Sequence, residues 1–225
     1  MQPPEPPTTG LREALAEIGD ALALDLTGTQ HDTLLAYLEL LKRWNATYNL
    51  TAVRDPAQML TQHLADCLSV IGPLRRHCAT ASSRRILDVG SGGGLPGLVI
   101  AALNPGVQVT CVDTVGKKVA FIRQALGELR LKNLLAEHAR VEQLKAAPFD
   151  VIVSRAFASL DDLTRLTRQH LAPQGVWMAM KGKMPANEMA QLPAEFAVFH
   201  VEHLTVPGLQ AERCLVWIRP QTPSL

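Results

Sequence analysis

Glycines crowd one short turn of the chain, where a ligand could approach the backbone closely. An apolar stretch at 86–89 predicts a strand, and a helix is predicted over 98–103, with Pro96 suited to its first turn. Four glycines fall within five residues between them: Gly90, Gly92, Gly93 and Gly94. A strand, a glycine turn and a helix start form the nucleotide pocket of doubly wound sheets. The alternative is a plain tight turn between a core strand and a core helix.

An acidic side chain stands where such a pocket would need one. Asp113 ends the next predicted strand, over 107–112. The two oxygens of a carboxylate can accept hydrogen bonds from both hydroxyl groups of a ribose. Asp113 is therefore the predicted ribose contact of a bound nucleoside.

The glycine turn fits two cofactor patterns that overlap. Gly92-x-Gly94-x-x-Gly97 matches the dinucleotide pattern and would suggest an NAD-dependent oxidoreductase. Asp88-x-Gly90-x-Gly92 instead resembles motif I of class I S-adenosylmethionine-dependent methyltransferases. The second is favoured because Gly90 follows the strand immediately and because two late strands, 196–201 and 214–218, resemble the antiparallel hairpin that closes a methyltransferase sheet.

The elements that would position this turn fall into two parts. Apolar spacing predicts helices over 11–24, from about residue 30 to Trp44, and over 56–71. From residue 84 onward, strands alternate with helices, which predicts an α/β fold with a mainly parallel, Rossmann-like sheet and an antiparallel C-terminal strand. The expected division is a disordered tail over 1–9, a helical N-terminal extension over 10–80, and a Rossmann-like methyltransferase domain over 81–225.

Composition limits the classes of protein that remain. The 225 residues are 47% hydrophobic and 19% charged, with a net charge of +1, so any nucleic-acid surface must come from local clusters. The four cysteines show no Cys-x-x-Cys spacing and predict reduced thiols rather than a disulfide framework or a zinc site. We expect a cytoplasmic protein, because the sequence contains no secretory signal pattern and no membrane-spanning apolar run.

Several segments together are more specific than the glycine turn. They are Arg43-Trp44-Asn45-Ala46-Thr47-Tyr48-Asn49-Leu50-Thr51, His63-Leu64-Ala65-Asp66, Ser154-Arg155-Ala156-Phe157-Ala158-Ser159 and Lys181-Gly182-Lys183. With the glycine turn, they resemble the GidB family, the ribosomal RNA small-subunit methyltransferases G, which make 7-methylguanosine in 16S rRNA. The resemblance covers roughly residues 11 to 218. It departs from the family at Cys67, where a serine is expected after the helical aspartate.

The resemblance implies a set of cofactor contacts for S-adenosylmethionine. Gly90 and Leu95 would line its methionyl part, with Gly92 in the same loop. Val141 and Glu142 would lie beside the adenine, and Arg155 would be the arginine of the pocket.

Methylation at guanine N7 is a direct displacement that needs no general base, because N7 already carries a lone pair. The site must instead align the reacting atoms. Arginine and lysine can donate to guanine O6 or to a phosphate, and the candidates are Arg155, Arg140 and Lys181. Contact with the carboxylate of the cofactor is the rival role for Arg155.

Other conspicuous residues have simpler interpretations. Trp44 and Tyr48 are interpreted as core anchors in preference to base-stacking residues, and His63 and Asp66 as a structural contact on one helix face. Lys181 and Lys183 follow a predicted strand end and are expected to touch RNA phosphate. The expected partner is 16S rRNA, either free or in a small-subunit assembly intermediate, with no membrane contact. A monomer is expected, although the sequence leaves the oligomeric state open.

Overall fold

A seven-stranded sheet forms the centre of the computed structural model, which describes residues 7–78 and 84–221. Its strands are β1 Arg84–Val89, β2 Val107–Asp113, β3 Leu134–His138, β4 Phe149–Arg155, β5 Leu171–Lys181, β6 Phe196–His203 and β7 Cys214–Pro220. They lie in the order β3-β2-β1-β4-β5-β7-β6. The first five pair in parallel, whereas β7 is antiparallel to both β5 and β6. The predicted mainly parallel sheet with an antiparallel C-terminal pair is confirmed.

Helices precede the sheet and cover both of its faces. They are α1 Pro7–Ala21, α2 Gly28–Tyr48, α3 Pro56–Met59, α4 Asp66–Leu68, α5 Ile71–Cys78, α6 Gly97–Leu103, α7 Gly116–Glu128, α8 Leu160–Thr167 and α9 Ala186–Ala190. Thr27 and Gln30 form a capping box at the start of α2, and Asp55 caps α3 ahead of Pro56. Among the described residues, none of these helices is both long and apolar enough to cross a membrane.

Some boundaries differ from those that the sequence predicts. The first helix begins at Pro7, inside the predicted tail, while residues 1–6 lie outside the described ranges. Pro96 occupies the N-cap of α6 rather than its first turn. The single helix predicted over 56–71 contains a π-helical segment at Leu60–Ala65 and ends before α5. A π-helical turn is wider than an α-helical one, so the spacing of apolar residues does not reveal it.

Alternate strand residues pack into two hydrophobic clusters, one on each face of the sheet. In β1, Ile86 belongs to the cluster that includes Leu34 of α2, and Leu87 belongs to the cluster that includes Leu163 of α8. This alternation follows from the two-residue period of a strand. Because the first cluster also takes in residues of α1 and α4, the N-terminal helices and the sheet share one core.

A close approach between β1 and α6 makes Gly97 a test of this packing. Its amide donates to Asp88 Oδ2 at 2.7 Å, and a Cβ there would lie 2.6 Å from Cys111 Sγ. We expect Gly97→Ala to lower the free energy of unfolding by about 2 kcal/mol, as overpacking of a tight core does. Urea denaturation measures the change.

Gly127→Ala is the matched control, because a Cβ at this position of α7 meets no atom within 4 Å. Alanine favours a helix by about 1 kcal/mol over glycine, so this variant should be as stable as the parent or more so. Equal destabilisation of both variants would contradict the packing argument.

Candidate active site

The glycine turn crosses from β1 to the end of β2. The amides of Gly90 and Ser91 both donate to the carbonyl of Val112, at 2.9 and 3.2 Å. Gly90, Gly92 and Gly94 have φ of 67°, 58° and 84°, in the left-handed region that favours glycine. The sequence therefore needs glycine at these positions for the path of the backbone itself.

The glycines of the turn face in two directions. Gly90 and Gly92 line a cleft at the carboxyl edge of the sheet. Added Cβ atoms at Gly94 and Gly97 would instead meet the interior, 3.3 Å from Ile122 Cγ1 and 2.6 Å from Cys111 Sγ. The later glycines of the dinucleotide pattern are thus packing residues.

Asp113 holds the turn in place. Its Oδ2 accepts a hydrogen bond from the amide of Gly92 at 2.9 Å, and its Oδ1 accepts one from the amide of Val115 at 2.8 Å. The side chain is almost fully buried. Each carboxylate oxygen retains a second acceptor site, so bonding to the loop leaves room for a ligand hydroxyl.

Two cavities meet at Gly90. The first, the Asp113 cavity, has a volume of about 380 Å³, and the second, the Arg155 cavity, has a volume of about 500 Å³. The structure places all nine predicted site residues on these walls: Asp113, Arg140, Val141 and Glu142 in the first, Gly92, Leu95, Arg155 and Lys181 in the second, and Gly90 in both. Arg140 therefore lies in a different cavity from Arg155 and Lys181. The combined cleft falls within the size range of cofactor sites and suits an elongated nucleoside ligand such as S-adenosylmethionine.

A buried carboxylate joins two arginines in the wall of the Arg155 cavity. Asp66 Oδ2 lies 3.2 Å from Arg155 Nη1, and Asp66 Oδ1 lies 2.8 Å from Arg213 Nε. Arg155 also donates to the carbonyl of Gln62 at 3.2 Å. Two cations share one carboxylate, so one positive charge is uncompensated within this group.

Sequence reasoning missed Arg213 as a site residue. It precedes β7, and Cys214, the next residue, is paired with Lys181 at the end of β5. The only available signal was this strand register, which places the start of an antiparallel strand at the carboxyl end of its parallel neighbour.

Lys181 lies in the same cavity, but its charge is already paired. Its Nζ lies 2.8 Å from Glu188 Oε2, and the side chain is 12% exposed. The same carboxylate oxygen accepts the amide of Leu160 at 2.8 Å. Glu188 therefore fixes Lys181 in position and offsets its attraction for an anion.

His63 adds an uncharged group to the wall. Its Nε2 lies 2.9 Å from Thr51 Oγ1. Burial lowers the pKa of His63 below its ordinary value, and the nearby Arg155 guanidinium lowers it further. The imidazole is consequently neutral at pH 7.

Comparison with solved structures identifies the class of the fold. TrmN from Thermus thermophilus superposes with a TM-score of 0.55 and 19% identity, covering 72% of this chain and 53% of its own. The N-methyltransferase NodS from Bradyrhizobium japonicum, solved with S-adenosyl-L-homocysteine, superposes with a TM-score of 0.56 and 15% identity. The superposition covers 83% of this chain and 98% of NodS. The sheet order and the glycine turn are those of the class I methyltransferase fold. The alternative of an NAD-dependent oxidoreductase has no support.

Sequence relatives then identify the family. Residues 30–216 match the GidB family model, described as rRNA small subunit methyltransferase G. A ribosomal RNA small subunit methyltransferase G from Leptothrix cholodnii is 61% identical over 94% of this chain and 96% of its own. Another, from Acidovorax ebreus, is 59% identical over 94% of this chain and 96% of its own. The chain belongs to the GidB family and is an S-adenosylmethionine-dependent rRNA methyltransferase.

The neutral state of His63 can be measured directly. NMR titration of the imidazole resonance, assigned by its loss in His63→Asn, should give a pKa below the ordinary value of 6.5. Arg155→Gln should move that pKa upward but not fully to 6.5, because burial remains. Since the folded pKa is the lower one, the contribution of His63 to stability is present above pH 6.5 and is lost as the pH falls through the folded pKa. An equal pKa of His63 in the parent and in Arg155→Gln would contradict this account.

Proposed function

We propose that this enzyme methylates N7 of a guanine in 16S rRNA. The observation that carries the proposal is the cationic group formed by Arg155, Asp66 and Arg213, which lies in the wall of the cavity beside the glycine turn. Fixed, forked donors suit a guanine O6 or a phosphate. Their attachment to a buried carboxylate keeps them at one position, and positioning is the main requirement of this reaction.

The Asp113 cavity is proposed to hold the adenosine part of the cofactor. Asp113 would accept from the ribose hydroxyls, with Val141 and Glu142 beside the adenine. The methionyl part would lie along Gly90, Gly92 and Leu95, toward the Arg155 cavity. Bound S-adenosylmethionine supplies an electrophilic methyl group on a positively charged sulfur.

The residues of the Arg155 cavity then hold the guanine rather than exchange protons with it. N7 carries a free lone pair, so direct displacement requires no general base from the protein. The guanine ring becomes cationic on methylation, and a neutral His63 avoids a further positive charge in the same cavity. Arg155 and Arg213 are placed at O6 or phosphate, and Lys181 is placed near the RNA backbone. Arg140, in the Asp113 cavity, is given no contact with the reacting base.

The substrate and its setting follow from the same proposal. We place residues 10–80 as a helical extension that faces the RNA beside the methyltransferase domain at 81–225, because Asp66 of that extension contributes to the cavity. Bacterial rRNA is made and assembled in the cytoplasm, and we place the enzyme there as a monomer. With a net charge of +1, attraction for RNA must be local, which favours a partly assembled subunit over free RNA as the substrate.

Loss of the gene should remove the modification. 16S RNA from a strain lacking this gene should contain one 7-methylguanosine fewer by mass spectrometry, and purified enzyme with labelled cofactor should restore it.

Arg155→Gln should lower kcat/KM about a hundredfold, which is the loss expected when a fixed transition-state donor is removed. Arg155→Lys keeps the charge but not the fork and should recover only part of the activity.

Lys132→Gln is the control, because this exposed lysine lines neither cavity. Unchanged 7-methylguanosine in the deletion strain would refute the proposed reaction. Full activity of Arg155→Gln would remove only its assigned role.

The assignment of Asp113 has a separate test. Asp113→Asn replaces one acceptor oxygen with a donor, which opposes both the Gly92 amide and a ribose hydroxyl. We expect the affinity for S-adenosylhomocysteine to fall at least tenfold by calorimetry. Glu137→Gln, an exposed change on neighbouring β3, should leave the affinity unchanged. A change under twofold in Asp113→Asn would argue against ribose binding there.

A further inference from the structure

An exposed aromatic ring ends helix α2 outside both cavities. Tyr48 is 46% exposed, and its ring packs on that of Trp44 with centroids 4.8 Å apart and an interplanar angle of 39°. Trp44 is itself fixed, because its Nε1 donates to Gln124 at 3.1 Å and its ring meets the edge of Phe121. Tyr48 is thus a supported ring that is open to solvent, rather than a core anchor.

Two cationic side chains are hydrogen-bonded to residues 48 and 49 at the end of α2. Lys117 Nζ donates to the carbonyl of Tyr48 at 2.8 Å, and Arg54 Nη2 donates to Asn49 Oδ1 at 3.0 Å. Neither takes part in an ion pair with any residue in 7–78 or 84–221. Both positive charges therefore remain available to an anionic partner.

The ring and its cations border the site already described. Lys117 lies in the first turn of α7, which begins just after Val115, whose amide donates to Asp113. The next residue, Lys118, lines the Asp113 cavity. On the side of the guanine, Thr51, three residues after Tyr48, has its Oγ1 2.9 Å from His63 Nε2 in the wall of the Arg155 cavity. An RNA strand whose guanine enters that cavity and that leaves across this side would therefore pass Tyr48.

We propose that Tyr48, Lys117 and Arg54 form a contact site for single-stranded RNA, here called the Tyr48 platform. The inference rests on the proposed function and adds a part of substrate recognition outside the cavities. An unstacked base packs on the free face of Tyr48, and the two cations contact phosphates on either side. Proteins bind single strands through this combination, since every base offers a ring face and every nucleotide a charge.

The test compares Tyr48 variants on 16S RNA and on partly assembled small subunits, both prepared from the deletion strain. Tyr48→Ala should weaken RNA binding about tenfold in filter binding and raise KM by a similar factor, with kcat kept. Tyr48→Phe and Tyr48→Trp should stay within twofold of the parent. Tyr48→Leu keeps apolar cover over Trp44 without a ring face and should behave as the alanine variant. Affinity for S-adenosylhomocysteine should not change in any of them.

Phe199→Ala is the matched control. Phe199 is also an exposed aromatic with a cation over its ring, but it lies on β6, at the opposite edge of the sheet from β3. For the cations, Lys117→Gln should flatten the dependence of log affinity on log salt by about 0.7, the value for one single-strand phosphate. Lys132→Gln should leave the slope unchanged.

Three results would overturn the platform: wild-type affinity of Tyr48→Ala for RNA, recovery of binding by Tyr48→Leu, or an equal loss in Phe199→Ala. A loss seen only with assembled subunits and not with free RNA would indicate a protein partner and would also overturn it. Failure of the proposed function looks different, because the wild-type enzyme would then transfer no methyl group either to 16S RNA or to small-subunit particles from the deletion strain, whatever residue stands at position 48.

Discussion

A carboxylate that is nearly removed from water needs cationic or hydrogen-bonding partners, and Asp66 obtains them from two distant parts of the chain. Its side chain is 4% exposed, and it binds Arg155 at the end of β4 and Arg213 just before β7. Removal of either arginine would leave part of this charge without its partner, which is costly in a buried position. The group therefore couples the helical N-terminal segment to both the parallel and the antiparallel part of the sheet. All three segments line the Arg155 cavity, together with the glycine turn and the end of β5.

The same group determines the charge that the cavity presents. One carboxylate offsets one of the two arginines, Glu188 offsets Lys181, and burial keeps His63 neutral. The walls thus carry several hydrogen-bond donors but little surplus charge. Such a cavity discriminates between ligands by the direction of its hydrogen-bond donors, while attraction for a polyanion must come from charges outside the cavity. This division explains how a chain with a net charge of +1 can act on RNA.

Local spacing predicts the parts of the site that lie within one strand-helix-strand unit, whereas the resemblance to the GidB family points to those at the ends of β4 and β5, such as Arg155 and Lys181. The glycine turn and Asp113 belong to such a unit, where local spacing dictates which side chains reach the same edge of the sheet. Asp66 and Arg213 are 147 positions apart, and no local pattern connects them. Without the register of β7 beside β5, Arg213 is an ordinary loop residue. The pairing of Lys181 with Glu188 is hidden for a similar reason, since it depends on how α9 turns back toward the end of β5.

The two overlapping glycine patterns show why a motif needs its surroundings. Both patterns include Gly92, and the sequence alone allows either cofactor. In the folded chain, Gly90 and Gly92 face the cleft, while Gly94 and Gly97 face Ile122 and Cys111. The Gly97 amide is also bound to Asp88, where burial raises the pKa of the carboxyl group to about 7. The later glycines are thus required by interior packing, Gly94 against α7 and Gly97 against β1 and β2, and they would be required there whichever nucleotide the cleft held.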